Sequence, residues 1–160
     1  MPHSPQPLSA GTPVRALDFP PAQFNFNQTS ITNVTATTYQ TGDPETAVRF
    51  QAPTSGRVAV TIKAIVQNNS AANADRLFVT FRVLSGDPDD AVVFQTDEVK
   101  NGVSNAAITP ADEFRYASHT TMVSGLTPGE FYYARVRHRA TLGSGTADIG
   151  YRHILVFPIP

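Results

Sequence analysis

The chain has 160 residues, no cysteine and a formal net charge of −1. The length suits one domain with a sizeable core. The charge argues against a protein that binds nucleic acid through bulk electrostatics, and the lack of cysteine excludes disulfides and cysteine-ligated zinc. The N-terminal sequence does not resemble a signal peptide, and no apolar stretch approaches the roughly 20 residues that cross a bilayer. We therefore expect a soluble protein without nucleic-acid or membrane partners.

Residues 1–28 are predicted to form an extended arm. Six of the 13 prolines lie in residues 1–21, and each proline fixes its own φ and restricts the residue before it. The segment is also rich in phenylalanine, whereas disordered tails are usually poor in aromatics. Two interpretations stay open: a flexible tail or a strap packed on its own domain, or an arm that docks on a neighbouring subunit. The candidate contact residues of a docking arm are Phe19, Pro20, Pro21, Phe24 and Phe26.

Residues 29–160 are predicted to form a single antiparallel β-sandwich of about eight strands. Segments in which apolar and polar residues alternate are separated by polar turns, and no helical period occurs. The strand segments before the C-terminal region are 29–39, 46–52, 57–67, 76–84, 91–96 and 115–123. The clearest inward-facing sets are Val58, Val60, Ile62, Ala64 and Val66, and Leu77, Val79, Phe81 and Val83. Residues 67–76 and 97–114 are predicted to be loops. We expect a jelly roll, with an immunoglobulin-like sandwich as the alternative.

The C-terminal segment 126–160 is predicted to form a β-hairpin that turns at Gly143-Ser144-Gly145. The first arm alternates between two sets of side chains, an apolar set and a basic set. The apolar set is Tyr132, Ala134, Val136, His138 and Ala140, and the basic set is Tyr133, Arg135, Arg137 and Arg139. In this register, Arg139 is expected to face Asp148, Arg135 to face Arg152, and His138 and His153 to lie on the apolar side.

The basic row is the candidate interaction surface of the sandwich. Arginine binds carboxylate, sulfate and phosphate groups bidentately, and two facing arginines lack a local partner. Three interpretations stay open: a solvated strand face, an interface between subunits, and an anion or glycan site. The candidate residues are Tyr133, Arg135, Arg137 and Arg152.

Catalytic and metal sites are not predicted. The four histidines, His3, His119, His138 and His153, have no nearby carboxylate to complete a ligand set. The acidic turn Asp87–Asp90 lacks the ligand spacing of a calcium loop, and the pairs Asp97-Glu98 and Asp112-Glu113 point to opposite faces of an extended chain. No nucleophile elbow or phosphate-binding glycine pattern is present. We expect no cofactor and no enzymatic activity.

Three short segments carry a resemblance to a known class of protein. They are Asp18-Phe19-Pro20-Pro21, Phe50-Gln51-Ala52-Pro53-Thr54-Ser55-Gly56-Arg57-Val58 and Gly125-Leu126-Thr127-Pro128-Gly129. In this order they resemble small virion proteins of tailed phages that infect actinobacteria. In strand pattern, the body also resembles the jelly-roll heads of the tumour-necrosis-factor and complement class, which form trimers.

The resemblance implies a structural protein displayed on the surface of the virion. It implies that the arm attaches the protein to a major capsid protein or a tail protein, and that the protein is a homotrimer. Capsid decoration is favoured over a tail position, because the chain shows no collagen-like or coiled-coil stalk. The alternative is a receptor- or carbohydrate-binding module of a tail fibre or tail tip, with a host-surface glycan as its ligand.

Overall fold

The computed structural model describes residues 13–69, 76–95, 102–106, 114–141 and 146–160, and these form an all-β sandwich of two antiparallel sheets. A short 3₁₀ turn, Ala16–Asp18, precedes the strands. The strands are β1 (Gln23–Asn27), β2 (Ile31–Val34), β3 (Gln40–Thr41), β4 (Ala47–Gln51), β5 (Val58–Asn68), β6 (Arg76–Ser85), β7 (Val92–Phe94), β8 (Val103–Ala106), β9 (Phe114–Val123), β10 (Phe131–Thr141) and β11 (Ala147–Pro158). In the described part of the chain, no helix is long and apolar enough to span a membrane.

The two sheets are built from strands that alternate along the chain. The five-stranded sheet has the order β1-β11-β5-β9, with β2 also paired to β11. In the six-stranded sheet, β10 pairs with β3 and β4 on one side and with β6 on the other, and β6 also pairs with β7 and β8. Because β4 to β6 and β9 to β11 change sheet at every step, each sheet presents one face to the other. This is the jelly-roll arrangement that the sequence predicts.

The core lies between the inward faces of the two sheets. The alternation expected for β5 and β6 is confirmed, since all nine inward-facing residues are at most 1% exposed. The alternation of β10 is confirmed as well, with Tyr132, Ala134, Val136, His138 and Ala140 buried. Inward-facing β-branched and aromatic side chains thus fill the space between the sheets, as in sandwiches generally.

The predicted C-terminal hairpin is wrong. Strand β10 belongs to the six-stranded sheet and β11 to the five-stranded sheet, so the two face each other across the core and do not pair. Period-two alternation marks a strand with one buried face, but it does not specify the neighbour. The expected Arg139–Asp148 pair is absent: Asp148 accepts hydrogen bonds from the backbone of Asn33 and the side chain of Asn69. The predicted turn at 143–145 lies outside the described residues.

Other segment boundaries also differ from expectation. The predicted strand 29–39 stops at Val34, after Asn33 adopts a φ of 58°. The chain then crosses to the other sheet, where the backbone of Ala140 donates to Ala36. Strand β8 lies inside the predicted loop 97–114. Residues 23–27 of the predicted arm form β1, while the arm residues 1–12, His3 and the acidic pairs at 97–98 and 112–113 lie outside the described residues.

The arm meets the sandwich at the end that contains the turn before β5. Thr54 donates its backbone N–H to Leu17 and its hydroxyl to Asp18, with distances of 3.2 and 2.7 Å. The same turn requires Gly56, because its φ is +64° and an added Cβ would lie 2.5 Å from the carbonyl oxygen of Leu126. The C-terminus reaches this turn too, since the side chain of Arg57 donates to Pro160.

Candidate functional site

The outer face of the five-stranded sheet is unusually apolar; we call it the aromatic face. Its outward side chains come from β1, β11, β5 and β9. The exposed or partly exposed apolar and aromatic members are Phe24, Phe26, Ile65, Phe114, Tyr116, Met122, Tyr151, His153, Leu155 and Phe157. Lys63 and Asp148 are the charged residues among the outward side chains that the structure describes on these four strands. Outer sheet faces of a sandwich are normally polar, so this composition makes the face a candidate interaction surface.

Four rings at the β1–β11 edge form a contiguous cluster. Phe24 lies 5.0 Å from the ring of His153 and 5.5 Å from that of Phe26, and Phe26 lies 6.2 Å from Tyr151. These separations are typical of favourable aromatic pairs. Burial, and then the charge of Lys63, lower the pKa of His153. The imidazole is therefore neutral at pH 7, and the cluster adds no charge to this face.

The arm residues singled out from the sequence separate into two groups. Phe24 and Phe26 lie on β1 within the aromatic face and are 56% and 46% exposed. Phe19 is also exposed, at 49%, but it lies beside the turn at Thr54, where Pro20 is buried and Pro21 exposed. The structure therefore distributes the five residues between the end of the sandwich and the face of one sheet.

The outer face of the six-stranded sheet has the opposite character; we call it the arginine face. Its outward-facing arginines are Arg49, Arg76, Arg82, Arg135, Arg137 and Arg139. Three of these arginines and Tyr133 lie on the outward side of β10, as the sequence predicts. The Tyr133 hydroxyl donates to Glu45 at 2.9 Å, and Arg135 lies 3.4 Å from the same carboxylate. Burial, followed by the hydrogen bond to Glu45, raises the pKa of Tyr133 to about 12.

Arg152 does not belong to this surface, so its predicted place beside Arg135 is wrong. Its side chain is 1% exposed and lies between the sheets. The cause is a bulge in β11: the register with β5 shifts between Ile149 and Tyr151, leaving Gly150 as an extra residue. One extra residue exchanges the two faces of everything that follows. The same bulge turns His153 outward, so its predicted place in the core is also wrong.

The buried guanidinium of Arg152 is held by neutral acceptors. Its Nε donates to the Thr46 hydroxyl at 3.3 Å and one Nη donates to the Pro44 carbonyl at 3.2 Å. The other Nη has no hydrogen-bond partner. An added Cβ on Gly42 would lie 3.1 Å from it, so glycine leaves the room that the guanidinium occupies. Burial lowers the pKa of Arg152, and the nearby charge of Asp43 opposes this effect.

Sequence patterns did not reveal several members of the two faces. Three such residues, Arg49, Arg82 and Glu45, lie outside β10. Only the pairing of β4 and β6 with β10 brings them together. Tyr116 and Met122 have outward parity on the predicted strand 115–123, which was a usable signal. In the described residues, no group of three or more histidine or acidic side chains is arranged to bind a metal. The turn at Asp87–Asp90 is instead held by Asp90, whose carboxylate accepts the backbone N–H of Asp87.

Comparison with solved structures identifies the fold. The chain is similar to one in the structure of infectious bursal disease virus Gx strain, with 9% identity, a TM-score of 0.55, and coverage of 98% of this chain and 36% of that one. It is also similar to Eiger TNF from S. frugiperda, with 8% identity, a TM-score of 0.52, and coverage of 89% and 94%. The chain thus spans about a third of the virus protein. No protein-family description and no curated sequence matches it. These similarities establish a jelly-roll body.

Replacing Arg152 tests its role in the core. We expect Arg152→Ser to lower the free energy of unfolding by about 2–4 kcal/mol, because it leaves a cavity and removes the partners of Thr46 and Pro44. Arg49→Ser is the control, since that side chain is 56% exposed and its carboxylate partner lies 3.9 Å away. Urea unfolding measures both. Equal losses for the two variants would contradict a core role for Arg152.

Protonation of His138 should make the sandwich less stable below neutral pH. Burial, followed by the charges of Arg152 and Arg137, lowers its pKa to about 4. The unfolded chain therefore binds this proton at a higher pH than the folded chain does. The free energy of unfolding falls as pH decreases from about 6.5 towards 4. Between pH 7 and 5 we expect a loss of about 2 kcal/mol from this group. The measurement is the urea midpoint as a function of pH. His138→Leu should flatten this profile, whereas the control His153→Gln should keep most of its slope. An unchanged slope in His138→Leu would refute the assignment.

Proposed function

We propose that the protein is a non-enzymatic structural component of a phage virion, displayed on the particle surface as a homotrimer. Capsid decoration is favoured over a tail position. The proposal assigns the N-terminal arm to attachment and the aromatic face to contact between copies of the chain. The partners in this proposal are other copies of the chain and a major capsid protein or tail protein. The observation that carries the proposal is the aromatic face.

The composition of the aromatic face favours a second copy of the chain as its occupant. A patch that meets an equivalent patch around a symmetry axis brings identical residues close together, so like charges are costly there. This face has few charges, and its exposed rings supply the apolar area that stabilises permanent interfaces. Three copies are expected from the resemblance to trimeric jelly-roll heads.

The attachment role of the arm is supported by its anchoring. Thr54 fixes Leu17 and Asp18 at one end of the sandwich, so the preceding residues start from a defined point. The sequence of those residues is rich in proline and poor in charge, which reduces the conformational entropy and the desolvation that binding must overcome. The three short motifs that resemble actinobacteriophage virion proteins agree with this assignment.

A receptor- or carbohydrate-binding module of a tail fibre or tail tip is the alternative. One observation favours it: the arginine face is a second surface, on the opposite side of the sandwich from the proposed subunit contact. A glycan-binding role and a structural role are compatible in one virion protein, because the two faces do not overlap.

An acidic substitution on the aromatic face should disrupt the homotrimer. We expect Tyr116→Asp, alone and with Phe24→Asp, to convert the trimer to monomer, because three like charges would be buried at the interface. Light scattering coupled to size exclusion measures the mass. The control is Val93→Asp, a residue that is 47% exposed on β7 of the other sheet, and it should stay trimeric. A wild-type protein that is monomeric at high concentration would exclude the contact.

Deletion of the arm should abolish attachment without unfolding the body. Removing residues 1–22 keeps β1, whose pairing with β11 covers the sheet edge. We expect this variant to unfold cooperatively but to be absent from purified virions when it is supplied during phage assembly. Deletion of residues 1–12 retains the turn bound to Thr54 and separates the contributions of the two arm segments. Normal incorporation of the longer deletion would show that the arm does not attach the protein.

A further inference from the structure

Half of the positive side chains of the sequence lie on one sheet face. The arginine face holds six of the 12 lysines and arginines, although the chain as a whole is slightly negative. Two of the six arginines contact carboxylates: Arg135 lies 3.4 Å from Glu45 and Arg49 lies 3.9 Å from Asp87. The face is therefore rich in positive charge. A concentration of like charge of this kind attracts anions.

The centre of the face is a pair of like charges. Arg135 lies directly opposite Arg82 on the neighbouring strand, and like charges in this position destabilise a sheet. The Nε atoms of Arg82, Arg135 and Arg137 are buried and have no hydrogen-bond partner. Burial, and then the charge of Arg135, lower the pKa of Arg137. Glu45 offsets part of this repulsion at Arg135, and a bound anion would relieve the rest, which acts on Arg82 and Arg137.

Contacts with the rest of the sheet hold these guanidinium groups in place. Arg137 donates to the carbonyl of Tyr39, and Arg139 donates to that of Thr37 at 3.4 Å. Arg139 also lies over two rings, 5.4 Å from the centre of Tyr39 and 4.9 Å from that of Phe78. Side chains that are ordered before binding lose less entropy when a ligand arrives. The face is preorganised for anionic groups.

We propose that the arginine face binds an anionic polysaccharide through its carboxylate or sulfate groups. Outward residues on one strand repeat about every 7 Å, so Arg135, Arg137 and Arg139 form a row along β10. Arg82 lies beside that row on β6. The side chain of Arg135 is 11% exposed and pairs with Glu45, so a polymer with repeated charges would contact mainly Arg82, Arg137 and Arg139. Each contact with an arginine can be bidentate.

Two other classes of anionic macromolecule fit the face less well. Proteins that bind single-stranded nucleic acids without sequence preference use open aromatic rings for base stacking, but Arg49 covers the ring of Phe131 at 4.7 Å and Arg139 covers Tyr39 and Phe78. Protein interfaces have apolar centres depleted of charge, whereas the centre of this face is the Arg82–Arg135 pair. A hydrated, flexible and repeatedly charged chain matches the surface better.

The binding test uses the full chain and defined polymers. Heparin carries sulfate and carboxylate groups, polygalacturonate carries carboxylate alone, and dextran is neutral. We expect calorimetry at low salt to detect binding of at least one of the two acidic polymers but not of dextran, with affinity that falls as salt screens the charges. Duplex DNA and polyglutamate are the comparison anions. Binding of either one as tightly as the acidic polysaccharides would overturn the assignment to a glycan, and failure of both polysaccharides would overturn the site.

Paired substitutions locate the site. Arg82→Ser with Arg137→Ser should weaken binding about tenfold or more, because each removes charge-assisted hydrogen bonds. The control is Arg15→Ser with Arg57→Ser, which changes the net charge equally but lies away from the face. Equal weakening in both would show attraction by bulk charge and refute the site. If the serine pair unfolds, Arg82→Lys with Arg137→Lys keeps the charge and should still bind more weakly than wild type; unchanged affinity would refute bidentate recognition.

The outcome is independent of the proposed assembly. A Tyr116→Asp monomer should bind the polysaccharide at each site as the wild type does, although without the gain from several linked sites. Loss of intrinsic affinity in that variant would contradict a site contained in one chain. A wild-type monomer that binds heparin would refute the trimer and leave the arginine face intact.

Discussion

The composition of the aromatic face depends on one extra residue in β11. Up to Ile149 the strand follows the alternation of its neighbour β5, and beyond Gly150 the alternation is reversed. Tyr151 and His153 therefore face outward, where they join Phe24 and Phe26 in one ring cluster. Arg152 faces inward and fills the space beside Gly42. Without the bulge, the same sequence would put the rings of Tyr151, His153 and Phe157 in the core and a charge in the middle of an apolar surface.

The jelly roll separates two surfaces of different chemistry, the aromatic face and the arginine face, on opposite sides of the molecule. Apolar contact between copies needs a face with little charge, whereas capture of an anionic ligand needs charge concentrated in a small area. A single sheet cannot provide both on its outer side. Two sheets packed about 10 Å apart can, because each has one side free of the shared core. Assembly through the aromatic face would then leave the arginine face directed away from the symmetry axis.

Local patterns predicted what depends on local sequence. The inward sets of β5, β6 and β10 follow from period two, and the all-β class follows from their repetition. The pairing of the strands could not be predicted in this way. Strands β10 and β11 show the same alternation whether they are neighbours in one sheet or face each other across the core, so the pattern did not exclude Arg152 as a neighbour of Arg135. The bulge was not predicted, although an isolated glycine within a strand pattern, here Gly150, is a signal for one. Consequently the β10 half of the arginine face was predicted, whereas Arg49, Arg82 and the aromatic face required the tertiary structure.

The way the arm enters the fold determines how the molecule would respond to force. After its contact with the Thr54 turn, the arm continues into β1. The five residues of β1, from Gln23 to Asn27, pair antiparallel with Val156 to Arg152. If the arm is pulled along the direction of β1, the hydrogen bonds of this ladder are loaded together and not one after another. The turn that holds Leu17 and Asp18 would be detached first. The body would therefore tolerate tension on its tether by lengthening at the arm before the sheet is disturbed.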